Sequence, residues 1–172
     1  MELLVPGLIL VALMVWASTK IKRISAAAFE AEKIQMSLYS IFKPSGFLHI
    51  LNDESGLDFR AYSREMESIG NRDFYAAQIE VEVFESKCLA NRIAEIRKNF
   101  SEATCSNYLD GGEKSAFVQL LREDGTVRYR ETRKIVSRGD RLLELRVSVL
   151  EQKRDQFRSA IEQVLDGFLP NS

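Results

Sequence analysis

The chain has 172 residues, 45% hydrophobic and 28% charged, with a formal net charge of −1. These are the values of a globular chain, and they exclude long disorder. The first 19 residues carry one charge, Glu2, so residues 20–172 hold 24 basic and 24 acidic side chains, a balance that argues against a general nucleic-acid binder while permitting local patches of either sign.

Residues 3–19, LLVPGLILVALMVWAST, contain no charge. As a helix this stretch measures ~25 Å, slightly short of a ~30 Å hydrocarbon core. Trp16 lies near its end, where an indole favours the headgroup boundary, and Lys20, Lys22 and Arg23 follow at once. Pro6 falls in the first turn or so, where its missing N–H costs little. A cleaved signal peptide needs positive charge before the apolar core, whereas here the cations come after it. A buried core helix needs a polar stripe, and there is none. The flanks instead predict a single-pass anchor in the cell inner membrane over residues 1–19, with the N-terminus outside, the C-terminal domain cytoplasmic, and Trp16, Lys20, Lys22 and Arg23 at the interface. That side suits Cys88 and Cys105, which stand 17 apart with no C-x-x-C and no histidine cluster, a poor basis for a disulfide framework or a zinc site.

Residues 20–36, rich in Ala, Glu and Lys and free of Gly and Pro, predict a helical stalk that prolongs the anchor. Ile21, Ile24, Ala28 and Ala31 recur at helical spacing, so the stalk has one apolar side, for a neighbouring transmembrane chain or for the domain's own surface.

Residues 37–172 predict one α+β domain. Pro44 and Gly46 in KPSGF mark a turn. FLHIL and LDFRAYS read as two strands around a polar loop, and RDFYAAQIEVEVFES as a further strand in which Ile79, Val81 and Val83 alternate with Glu80 and Glu82. Leu89, Ile93, Ile96 and Phe100 form a helical stripe over residues 87–100. SNYLDGGEK reads as a loop. SAFVQLLRE turns at Asp124–Gly125 into TVRYRETRKIV, and SRGD turns into RLLELRVSVLE, where Leu143, Leu145, Val147 and Val149 share a face. Phe157, Ala160, Ile161, Val164, Leu165 and Phe168 define a closing helix ended by Gly167 and Pro170. Consecutive hairpins imply an antiparallel sheet, its apolar face covered by the two amphipathic helices.

The opening KPSGF, the hairpin FVQLLREDGTVRYRETRKIV followed by LLELRVSVLE, and the final FRSAIEQVLDGF resemble the PsbP-like α+β fold group, which includes the photosystem II extrinsic subunit PsbP, the Ran-binding protein Mog and many bacterial lipoproteins. That resemblance implies a non-catalytic adaptor or accessory subunit of a larger assembly, with energy-converting or photosynthetic complexes as one setting. The N-terminal helix departs from it, because relatives are often secreted or lipid-anchored and this chain has no lipobox cysteine.

Chemistry-bearing patterns are sparse. His49 is the only histidine; Ser45 and Asp53 are near in sequence, but neighbours four apart in an extended segment do not converge as a triad does. LDGGEK lacks the phosphate-cradling pattern, and Asp53, Glu54 and Asp58 miss the calcium-loop spacing. No catalytic residue, metal ligand or cofactor site is expected. One basic feature stands out, from Arg122 to Arg146. Within it Arg128, Arg130 and Lys134 alternate onto one strand face. They form either a solvated face paired with Glu131, Glu144, Glu80 or Glu82, or a docking face for anionic lipid headgroups or an acidic partner. The function these readings favour is a non-enzymatic, membrane-anchored accessory subunit of a multi-subunit membrane protein complex, with its subunits and the lipid bilayer as partners and no nucleic acid. The alternatives are a membrane-tethered binding or sensor module for a small ligand or anionic lipid, and an enzyme using His49.

Overall fold

The computed structural model describes residues 4–51, 54–110 and 113–171. Asp53 of the acidic loop and the two glycines of LDGGEK lie outside these. The first element, α1 (Leu4–Ala27), is a continuous helix. Its apolar side chains stand in the open: Ile9, Val11, Leu13, Met14, Val15, Trp16 and Ile21 are all exposed. Among the described residues, no helix is long and apolar enough to cross a membrane.

The helical stalk predicted over residues 20–36 is corrected here. The helix stops at Ala27, a turn follows, and β1 (Glu32–Gln35) pairs antiparallel with β2 (Tyr39–Lys43). Helix propensity loses to tertiary pairing: Ile34 packs on the core, and Lys43 holds the turn. Lys43 is only 2% exposed. Its ammonium donates to the carbonyls of Ala28, Glu30 and Phe47, so each of its three N–H groups has an acceptor. Burial pushes its pKa below the usual lysine value, with Glu32 and Glu30 opposing the shift. The Gly46 N–H donates to Phe29 O at 2.8 Å, and the Arg64 guanidinium lies over the Phe29 ring. The turn that follows the helix is thus bonded to the domain.

The next strands are β3 (Phe47–His49), β4 (Phe59–Ser63), the small hairpin β5 (Met66–Ile69) and β6 (Arg72–Tyr75), and β7 (Ala77–Glu85). RDFYAAQIEVEVFES is therefore two strands, not one. After α2 (Leu89–Asn99) come β8 (Thr104–Asp110), β9 (Glu113–Asp124), β10 (Val127–Arg138) and β11 (Arg141–Leu150), then α3 (Arg154–Gly167) and β12 (Leu169–Pro170). SNYLDGGEK, read as a loop for its glycines and polar residues, lies mostly in strand: β8 pairs with β9 over its whole length. The main antiparallel sheet runs β3-β4-β7-β11-β10-β9-β8, and β12 joins β2 and β1 in a small second sheet. Gly125 and Gly139, with φ of +62° and +58°, supply the left-handed residues of the turns between β9 and β10 and between β10 and β11.

The two helices do not share a face of this sheet. Adjacent residues of β10 and β11 fall into separate clusters: Val136 and Leu143 with α3, Ile135 and Leu142 with α2. Since side chains alternate across a strand, α2 and α3 lie on opposite faces. The physical reason is visible in β11, where residues 142–145 and 147–150 are all buried, so that both faces need cover. The α3 layer holds the larger core, with Phe157, Val164 and Phe168 against Ile41, Phe47, Phe59 and the inward residues of β7 and β11.

Gly167 ends α3 against β2, and a Cβ there would lie 2.4 Å from the Phe42 Cβ and 3.2 Å from the Phe42 N. Because one obstacle is backbone, rotamer changes cannot relieve the clash. Gly167→Ala should therefore destabilise the fold by about 1–3 kcal/mol in urea melts, and the shift should shrink when Phe42 is also changed to Gly.

Candidate docking surfaces

Strand register sorts the charged side chains between the two faces. On the α3 face, Arg128, Arg130 and Lys134 do lie on one side of β10, opposite Glu123, Leu121 and Phe117 of β9. Their environments differ. Lys134 is 5% exposed, and its ammonium donates to Leu165 O and Phe168 O, both at 3.1 Å, at the carbonyl end of α3. A cation there meets the negative end of the helix dipole. Lys134 is thus a helix cap and not part of a docking face, which corrects the sequence expectation. Alternation told which face it was on but not that a helix would cover it.

Arg130 grips Glu151 with two bonds, Nε to Oε2 at 3.1 Å and Nη2 to Oε1 at 2.7 Å. This fork raises the Arg130 pKa and holds the Glu151 carboxyl below its ordinary value. Arg128 bonds the exposed Glu123 at 2.9 Å. Beside Arg130, the exposed Arg154 and Arg158 of α3 border a shallow cavity of about 300 Å³ whose lining also includes the acidic Glu162 as well as Thr132, Ile161 and Leu165. Arg158 pairs with Asp155. The cationic groove that remains is therefore narrower than the run of arginines suggests.

The opposite face carries an ionic layer. Cross-strand partners place Arg60 beside Glu80, Glu80 beside Arg146, Arg146 beside Arg133, and Glu82 beside Glu144. Glu144 is 0% exposed. It accepts from Arg92 of α2, Nε at 2.6 Å and Nη2 at 3.1 Å, and from Arg133 Nη1 at 2.9 Å. Arg133 also bonds Glu131, whose other oxygen accepts from Ser148 Oγ. Burial opposes the Arg92 charge, but its bonds to Glu144 and Glu95 outweigh that and hold its pKa above the usual guanidinium value. Toward β4 the layer opens to solvent, with Arg146 bonded to Glu82 at 2.7 Å and Arg60 paired with Glu80 at 3.3 Å. The pairing of basic residues with Glu131, Glu144, Glu80 and Glu82 was legible in sequence, but it involves Arg133 and Arg146, and much of it is buried.

His49 lies on β3, and Asp53, weighed beside it in the sequence, falls outside the described residues. The His49 ring stacks on Phe59 at 4.5 Å, and burial lowers its pKa. Cys88 and Cys105 are free thiols. Among the described residues, no group of three His, Cys, Asp or Glu side chains could hold a metal ion. Trp16 and Lys20 meet on α1, with the ammonium 5.0 Å from the ring centre.

Removing one partner from the buried layer strands the others. Glu144→Ala should cost roughly 3–5 kcal/mol in chemical denaturation, because Arg92 and Arg133 are left without their shared carboxylate. The Arg130–Glu151 pair gives a pH signature instead. The folded Glu151 pKa is depressed, so its stabilisation is present above the unfolded carboxylate pKa near 4.5 and is lost as pH falls through the lower folded value. Glu151→Gln should lower stability in the neutral region and leave it nearly unchanged below the folded Glu151 pKa, so that the acid limb of a stability–pH curve flattens.

No family model and no curated protein matches the chain by sequence. Solved structures do match it in shape. Cyanobacterial PsbP (CyanoP) from Synechocystis aligns with a TM-score of 0.59 at 12% identity, over 83% of this chain and 94% of that one. LpqN of Mycobacterium tuberculosis, described as involved in cell envelope biogenesis, aligns at 0.60 with 8% identity over 83% and 91%. The Ran-binding protein Mog1p of Saccharomyces cerevisiae aligns at 0.51 with 8% identity over 81% and 95%. With its twisted antiparallel sheet layered between α2 and α3, the chain has the PsbP/Mog fold.

Proposed function

We propose that the chain is a non-enzymatic, membrane-anchored accessory subunit of a multi-subunit membrane protein complex, with its α+β domain on the cytoplasmic side. The observation that carries this reading is α1. Ile9 and the apolar side chains from Val11 to Trp16 are exposed and lead directly into Lys20, Lys22 and Arg23. A contiguous apolar surface of this kind marks a lipid or protein contact. A helix apolar on all sides favours the bilayer. Its ~25 Å uncharged stretch is short for a ~30 Å core, so local thinning and snorkelling of Lys20 past Trp16 would have to close the gap. The cations on the C-terminal flank favour retention of that flank in the cytoplasm.

The fold supports an adaptor or binding role without choosing the setting. A Ran-binding protein and a cell-envelope protein share it with a PsbP, so a photosynthetic complex is one setting among several. A second reading, a tethered module for a small ligand or anionic lipid, is favoured by the cavity between Arg130, Arg154 and Arg158.

Alkaline carbonate extraction of membranes tests the anchor. The full chain should stay in the pellet, and a variant with Val11, Leu13 and Val15 changed to Asp should move to the supernatant. A C-terminal reporter active only outside the cytoplasm should be silent, and a reporter signal from the unmodified chain would overturn the orientation. Purification in mild detergent then separates the two readings: stoichiometric co-purifying subunits support the first, and a lone chain that binds anionic vesicles through Arg154 and Arg158 supports the second.

A further inference from the structure

Strand β8 closes one end of the main sheet. Among the described residues its inner edge is bonded to β9, and no backbone group of residues 104–110 bonds elsewhere. In an antiparallel pair every second residue points its N–H and C=O away from the partner, so β8 offers a row of unmet donors and acceptors. Folded proteins usually blunt such edges with lysine, proline, a bulge or very short length. TCSNYLD has no lysine or proline, and its pairing with β9 runs through seven residues in unbroken register.

A groove adjoins the edge on its α2 side. Cys105 and Asn107 point to that side, because they pair with Val118 and Ala116, and Val118 packs in the α2 cluster. Asn107, Lys114 and the first two turns of α2, with Leu89, Ala90 and Ile93, border an open cavity of about 730 Å³. Its apolar part would take an aliphatic side chain. Among the described residues, Lys114 is the one charged side chain bordering it, so an anionic group is the complement at that end. Thr104 and Ser106 lie on the opposite face, beside Gln119 and Phe117.

We propose that β8 binds an extended segment of a partner protein by strand addition. The segment alternates apolar residues, which enter the groove, with polar ones on the other face, and carries an acidic residue next to Lys114. Backbone pairing gives affinity, and the groove gives the choice of side chain. This names the kind of contact an accessory subunit would make, so it deepens the partner-binding reading, but it uses no property of α1. Carbonate extraction and strand addition can therefore fail separately.

Random octapeptides displayed on phage, selected on the full chain in mild detergent, test it. The expected outcome is enrichment of alternating apolar and polar peptides with an Asp or Glu, and slower hydrogen exchange at alternate β8 amides when a selected peptide is bound. Ala90→Arg, at an exposed helix position, fills the groove, and Lys114→Glu reverses its charge. Each should weaken the selected peptide by about tenfold or more, while Arg154→Gln on the other face should leave binding unchanged. Failure to enrich any sequence, or selected peptides indifferent to both groove variants, overturns the proposal. So does a concentration-dependent dimer with β8 protected in the absence of peptide, which would assign the edge to a second copy of this chain.

Discussion

A carboxylate with no access to water, Glu144, is the constraint around which the domain is built. A buried charge is tolerated only when paired and fully hydrogen-bonded, and Glu144 meets that condition by drawing Arg92 from α2 and Arg133 from β10 to the same place. The pairing fixes where α2 sits on the sheet. It also leaves β11 covered on both sides, with α3 supplying the apolar cover on the other. Around this centre the charges step outward through Arg146, Glu82, Glu80 and Arg60 toward solvent. A central strand pair buried on both faces, one dry and one ionic, is why a neutral domain can be so rich in charge.

Most of the elements could be read from the residues. Hairpin turns at Asp124–Gly125 and SRGD, alternation in RLLELRVSVLE and the stripe of α3 all depend on local chemistry, and all stand where expected. What was not legible depends on contacts distant in sequence. EKIQ scores as helix but is a strand because it pairs with β2 and because Lys43, a dozen residues on, binds the carbonyls before it. TCSNYLD looked like a loop because its own residues are polar and carry no period; β9 recruits it. The two helices were expected on one face because amphipathicity says that a helix needs a partner and not which one. Lys134 shows the same limit at a single residue, with its face correct and its cover invisible.

The Lys43 clamp bears on function because it couples α1 to the domain. Two carbonyls from the turn after the helix and one from β3 converge on one ammonium, and Gly46 adds a backbone bond to Phe29. This joint ties the turn after α1 to the first strands of the domain. Only Lys20 to Ala27 separates the last uncharged residue of the apolar run from this joint, a helical rise of about 12 Å.

Register then shows which end of the sheet lies by this joint. Phe47, next to the joint, pairs with Ser63; Tyr62 pairs with Gln78, Ala77 with Val149, and Val149 with Arg130. The contact of Phe47 with Phe157 brings the first turns of α3 to the same end. Arg128, Arg130, Arg154 and Arg158 thus stand at the same end of the sheet as the joint after α1. Three of the four are already engaged by Glu123, Glu151 and Asp155. Anionic lipid would have to compete with these carboxylates, which limits its pull to less than the ~1 kcal/mol per cation of an unpaired polybasic segment. Strand β8 faces no such competition, since its outer groups have no partner within the described chain. The charged end is therefore suited to setting orientation near a surface, and specific attachment to a partner falls to the open edge of the sheet.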